Sequence, residues 1–167
     1  AITCVPEDPV RANRPTGIVN GIYYDKANPT KVTLCTFVAS KTQAAKHVFV
    51  VGDFNDWTIS NDYQLYQAND SAYFWIELTG LNPGQEYAMQ YVVVRSDGVV
   101  KRISDLYSEK VLHKEDEWEP TANDPDLMEY PLAGDGYVTV IQTDKPEFKW
   151  SDATLNFKRP NKNNLVI

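Results

Sequence analysis

Short apolar stretches alternate with clusters of turn-forming residues along most of the chain. Gly17 to Tyr24 is an apolar run that stops at Asp25-Lys26-Ala27-Asn28-Pro29, a turn cluster. From Lys31 to Ala39 the residues alternate. Val32, Leu34 and Val38 fall on one face and Thr33, Cys35 and Phe37 on the other, which is the period-two signature of a strand. Lys46 to Gly52 carries the buried-type run His47-Val48-Phe49-Val50-Val51. Ala72 to Thr79 alternates again, with Phe74, Ile76 and Leu78 opposite Tyr73, Trp75 and Glu77. Leu81-Asn82-Pro83-Gly84-Gln85 predicts a turn, because Pro fixes φ and Gly supplies the position other residues resist. Glu86 to Val94 predicts the next strand, with Tyr87, Met89, Tyr91 and Val93 on one face. Ser96-Asp97-Gly98 is a hairpin signal, and Val99 to Ile103 is the returning strand. About six short strands with no βαβ alternation predict an all-β antiparallel sandwich.

The remainder reads differently. Ser104 to Glu117 is expected to form a short helix, with Leu106 and Tyr107 facing Lys110, Val111 and His113. An acidic stretch broken by Pro120, Pro125 and Pro131 follows, then a strand candidate at Tyr137 to Gln142. Pro146 to Pro160 reads as a connector held to the surface by Phe148, Trp150 and Phe157. Asn164-Leu165-Val166-Ile167 opens an apolar run too short for a strand of about five residues, as if an element had been cut. The pattern divides the chain into a lead (1–15), a sandwich (16–112), an extension with one further strand (113–160) and the start of another element (161–167).

Composition narrows the function classes. A chain of 167 residues is long enough for one well-buried core but too short for a (β/α)8 barrel, which takes about 200 residues at least. Sixteen Lys and Arg against 23 Asp and Glu give a net charge of −7, and no basic run is present, so a nucleic-acid partner is not expected. No apolar run reaches the roughly 18 residues of a membrane helix, so no membrane span is expected, and Ala1 to Pro6 does not read as a signal peptide. Cys4 and Cys35 are the two cysteines; they lie outside any CxxC pair, and a disulfide between them stays open.

Candidate chemistry is sparse. His47 and His113, the two histidines, have no metal-ligand spacing around them, and no GxSxG element is present, so neither a metal nor a nucleophilic hydrolase site is expected. Gly52-Asp53-Phe54-Asn55-Asp56-Trp57 is the most informative stretch. A calcium loop would need Glu where Gln64 stands, so the polar residues are better read as turn caps, with Phe54 and Trp57 covering the end of the sandwich. An exposed indole can also serve as a flat platform for the apolar face of a sugar, a role open to Trp57 and Trp75, though core packing serves either equally well. The carboxylates Glu115-Asp116-Glu117, Asp124 and Asp126 lie in a Pro-interrupted segment and read as a solvated face rather than a glycosidase pair.

Val48 to Trp57 resembles the GDFNxW signature of the early-set, immunoglobulin-like domains that precede the catalytic barrel in glycoside hydrolase family 13, related to carbohydrate-binding module family 48. Gly80 to Tyr87, Asp97-Gly98 and Ser104 to Leu112 match in the same order, and Pro160 to Ile167 resembles the linker and first barrel strand of such an amylase. Arg14 to Tyr24 is similar to the α-amylases of gut Bacteroidetes. The resemblance covers the chain from about Arg14 onward. It implies an immunoglobulin-like sandwich without catalytic residues or cofactor, belonging to an exported (periplasmic or cell-surface) enzyme that acts on α-1,4-glucans such as starch and glycogen. The acid and nucleophile would lie beyond Ile167. The implied partner is that enzyme's own barrel; the alternative is weak binding of α-glucan oligosaccharides with Trp57 stacking on a glucose ring. The resemblance places Gln90 where sugar-binding members carry a Lys, Val99 and Val100 where a second aromatic follows the Asp-Gly turn, and Asp105-Leu106-Tyr107 in place of Asp-Pro-Tyr.

Overall fold

Alternating side chains assemble into two antiparallel sheets in the computed structural model, which describes residues 4–39, 44–70, 72–118 and 127–158. The first sheet holds β1 (Gly21–Tyr24), β2 (Val32–Phe37), β4 (Tyr66–Gln67) and β5 (Tyr73–Leu78), in the order β1-β2-β5-β4. The second holds β3 (Ala45–Gly52), β6 (Glu86–Arg95), β8 (Lys110–Leu112) and β9 (Val138–Gln142), in the order β3-β6-β9-β8. A further strand, β7 (Val100–Ile103), pairs with Tyr91 to Val94 of β6, while β9 pairs with Glu86 to Met89 of the same strand. The long β6 is therefore the spine of its sheet. The all-β sandwich expected from the alternation is what forms.

The core lies between the sheets. Val32, Leu34, Phe74, Ile76 and Leu78 from one side meet Val48, Val50, Tyr87, Met89, Tyr91, Val93 and Ile141 from the other. Burying each of the larger side chains contributes about 1.5–3 kcal/mol, so this layer dominates the favourable side of folding. Its members on β2, β5 and β6 are those the period-two pattern places on a common face.

The outer face of the second sheet is also covered. Phe49, Val51 and Val92 are buried beneath Cys4, Trp57 and Ile59, and Ala88, Leu112, Val138 and Val140 beneath Trp57, Leu127, Met128 and Tyr130. An antiparallel sheet normally leaves one face in water. Here irregular segments form a third layer, which explains why Ala88, Gln90 and Val92 on the outer face of β6 are as buried as its inner residues.

Some of the sequence expectations change. Ser104 to Glu117 does not form a helix: β8 occupies Lys110–Leu112 and a single 3-10 turn Lys114–Trp118. Leu106 and Tyr107 are exposed instead of packing back, because they form a turn at Asp105, whose carboxylate accepts from the Tyr107 N–H at 2.8 Å while its own N–H is anchored to Thr139 of β9. The strand candidate at Tyr137 to Gln142 appears as β9, which sits inside the sheet between β6 and β8. Phe148, Trp150 and Phe157 do not hold their segment to the surface; they are 72%, 60% and 71% exposed, and a short helix, α1 (Asp152–Leu155), lies between them. Cys4 and Cys35 are free thiols. Cys35 is buried and donates to the Val19 carbonyl at 3.0 Å, and burial pushes its thiol up to about 11. Residues 119–126 and 159–167, with Asp124, Asp126 and the segment 161–167 expected to begin a further element, lie outside the described residues.

Candidate functional site

The site singled out in the sequence begins where β3 runs out. A Cβ at Gly52 would overlap the Ala88 carbonyl oxygen, so only glycine lets β3 pass this close to β6. The chain then turns through a 3-10 element, Asp53–Asn55. Asn55 closes the turn: its Oδ1 accepts from the Gly52 N–H at 2.9 Å and its Nδ2 donates to the Val50 carbonyl at 3.1 Å. Asp53 is used twice. One carboxylate oxygen accepts from the Ala88 N–H at 2.7 Å and the other from the Trp57 indole Nε1 at 2.8 Å. The polar residues of the motif therefore cap a turn and hold one aromatic ring.

That ring is Trp57. Asp56 and Trp57 both adopt left-handed backbone, with φ of 51° and 55°. Such conformations cost non-glycine residues about 1–3 kcal/mol each and persist only where the surroundings enforce them. The enforcement is visible: the Trp57 N–H donates to the Gly52 carbonyl at 3.0 Å, and the ring packs into both apolar clusters of the outer layer. Trp57 thus lies over the outer face of the second sheet rather than at the end of the sandwich, whereas Phe54 packs against the central core. The Arg102 guanidinium stands 6.0 Å from the Trp57 ring centroid, and Arg102 Nη1 donates to the Ala133 carbonyl at 2.5 Å.

Gln90 is also on this face, but its amide is fully used. Its Nε2 donates to the carbonyls of Asp135 and Tyr137 at 2.6 and 2.8 Å, and its Oε1 accepts from the Asp135 N–H at 3.1 Å. With 0% exposure, Gln90 serves as the anchor of the 134–137 loop. Trp75 is on the other sheet. It pairs with Cys35 and Tyr66, its ring lies 4.9 Å from that of Tyr66, and its Nε1 donates to the Ala12 carbonyl at 3.0 Å. The structure brings Trp57 and Gln90 under one layer and leaves Trp75 apart from both.

The remaining chemistry-bearing groups are structural in their contacts. Among the described residues no three His, Cys, Asp or Glu side chains converge as metal ligands. His47 is buried on β3, where its Nδ1 accepts from Gln64 at 3.2 Å; burial, with Lys46 nearby, holds its pKa below the ordinary value. His113 stacks on Tyr137 at 4.6 Å. Asp105 is the one buried carboxylate among the described residues, and burial raises its pKa against the hydrogen bonds it accepts from Tyr107 and Tyr91.

Sequence reasoning did not find the double use of Asp53, the Arg102 guanidinium or the cover from residues 127–130. The Asp53–Trp57 spacing of four residues within one turn was the available signal for the first; the others come from contacts distant in sequence. No known family model and no curated protein matches the chain.

Proposed function

We propose that this chain is a non-catalytic accessory domain of immunoglobulin-like, early-set type, N-terminal to the (β/α)8 barrel of an α-amylase-type glycoside hydrolase acting on α-1,4-glucans, and that it acts mainly by packing on that barrel and stabilising it. The motif order from Val48 to Leu112 supports the family. One observation favours packing over sugar binding: two of the three residues expected to face a glucan are spent on contacts within the fold. The Gln90 amide is saturated by the 134–137 loop, and the Trp57 indole N–H is bound to Asp53. The segment after β9 also exposes Phe148, Trp150, Leu155 and Phe157, the apolar surface a docking partner would cover.

The test is made in the enzyme that carries the domain. Replacing Phe148, Trp150 and Phe157 together by Ser should lower the melting temperature of the whole hydrolase while leaving that of the isolated chain unchanged. An unchanged melting temperature of the hydrolase would overturn the packing role.

The second reading is a weak α-glucan-binding module with Trp57 as platform. It is favoured by the partial exposure of Trp57 and by the strained backbone that fixes the ring. Tryptophan fluorescence titrated with maltoheptaose decides it. A saturable change that disappears in a folded Trp57→Phe variant would establish it, and no change up to millimolar sugar would remove it.

A further inference from the structure

The chain changes partners immediately before β4. The Ala68 N–H donates to the Tyr73 carbonyl at 2.9 Å, and Tyr66 stands opposite Trp75, so the same register would set Gln64 opposite Glu77. The chain departs before that point. The Leu65 N–H goes to the Val48 carbonyl of β3 at 2.8 Å, the Gln64 N–H to the Asn61 carbonyl at 3.1 Å, and Gln64 bridges to Phe49 in the second sheet.

Backbone groups of an antiparallel strand point alternately to its two neighbours. Tyr73 and Trp75 point theirs toward β4, so the N–H and C=O of Glu77 point to the side that β4 has left. Among the described residues no backbone hydrogen bond meets them there. An open groove of about 580 Å³ runs along this edge. Its polar lining includes Glu7, Asp8 and Asp62, none of which is in an ion pair among the described residues, and Glu77, which pairs with Lys31 at 3.0 Å; no Lys or Arg is among the described residues that line it. The Tyr66–Trp75 pair supplies an aromatic wall, with Tyr66 39% exposed.

We propose that this edge binds an extended peptide segment bearing Lys or Arg, which adds as a short strand beside Glu77 and sets its cationic side chains among Glu7, Asp8 and Asp62 and against the aromatic wall. Main-chain bonds to a free sheet edge and side-chain selection by alternate pockets are the general mode of strand addition. The carboxylates select a cation, and aromatic faces accept one. A second copy of this chain is a poor occupant, since each copy carries a net charge of −7. The inference does not depend on the amylase-type reading.

The test uses the purified chain, isotope-labelled, titrated with three blocked synthetic peptides: Lys-Val-Lys-Val-Lys, Glu-Val-Glu-Val-Glu, and the lysine peptide N-methylated at alternate backbone nitrogens. The lysine peptide should shift the amide resonances of Tyr66, Ile76 and Glu77 saturably and slow hydrogen exchange at Glu77. Affinity should fall about three- to tenfold on N-methylation, which removes strand hydrogen bonds without altering charge. A Glu7→Gln, Asp8→Asn, Asp62→Asn variant should show a comparable loss. No shift at Glu77, equal affinity for the methylated peptide, or equal binding of the glutamate peptide would overturn the proposal. So would maltoheptaose shifting these amides where the lysine peptide does not.

Discussion

The Tyr91 hydroxyl donates to a carboxylate oxygen of Asp105 at 2.8 Å inside the sandwich, the second oxygen accepts from the Tyr107 N–H at 2.8 Å, and the Asp105 N–H donates to Thr139 at 2.8 Å. One aspartate thereby joins β6, the chain after β7 and β9. Asp105→Ala should cost about 1–3 kcal/mol, because it leaves the Tyr91 hydroxyl and the Tyr107 N–H without partners. Urea unfolding at neutral pH checks this.

The same carboxyl has a signed pH signature. Its pKa is raised in the folded state, chiefly by burial, so its contribution is fully present below the ordinary aspartate value and is lost as pH rises through the raised one. Asp105→Asn carries no charge to bury. Its stability relative to wild type should therefore improve as pH rises from about 3 toward neutrality. A difference that stays flat over that range would contradict the assignment.

His47 is predicted to act at the opposite end. Burial, with Lys46 nearby, lowers its folded pKa, so stability is fully present above the ordinary histidine value and falls as pH drops below it. Between about pH 7 and pH 5, wild type should lose stability faster than His47→Gln. Thermal melts across that range compare the two slopes.

Trp57 should prove a stability residue even if it also meets a ligand. Its ring is shared by the two outer clusters, so Trp57→Ala should cost about 2–4 kcal/mol, somewhat below the usual loss for a fully buried Trp. Asp53→Ala, which frees the indole N–H and the Ala88 N–H together, should cost about 1–2 kcal/mol. Denaturant midpoints of both variants are the measurement.

Gln90 offers the sharpest test of whether this face is free. Restoring the lysine expected of sugar-binding relatives, Gln90→Lys, would place an ammonium where three amide hydrogen bonds now close a buried loop. The cost should be about 3 kcal/mol or more, read as a lowered melting temperature. A neutral effect would mean that the 134–137 loop lifts away with ease.

The strands of the core were legible because their signal is local. Val32 and Leu34, Phe74 to Leu78 and Tyr87 to Val93 each write the two-residue period into adjacent positions, and membership of the central core follows that period. The two-residue β4 and the three-residue β8 were not legible, because neither is long enough to display a period and each owes its pairing to a neighbour remote in sequence. The candidate site was legible in part. Asp53, Asn55 and Trp57 act within one turn, so their grouping could be read. The fate of Gln90 depends on Asp135 and Tyr137, and that of Trp75 on Ala12, and no local pattern records such contacts.

The place of β9 between β6 and β8 has a consequence for how the molecule is made. As the chain leaves the ribosome, β6 emerges long before Val138 to Gln142, and until they appear part of its edge and all of β8 lack a partner. Ile141, a member of the central core, arrives equally late. The nascent domain must therefore wait with an apolar spine half covered, and a product terminated before Val138 would be a sticky fragment for quality control to clear rather than a smaller working domain.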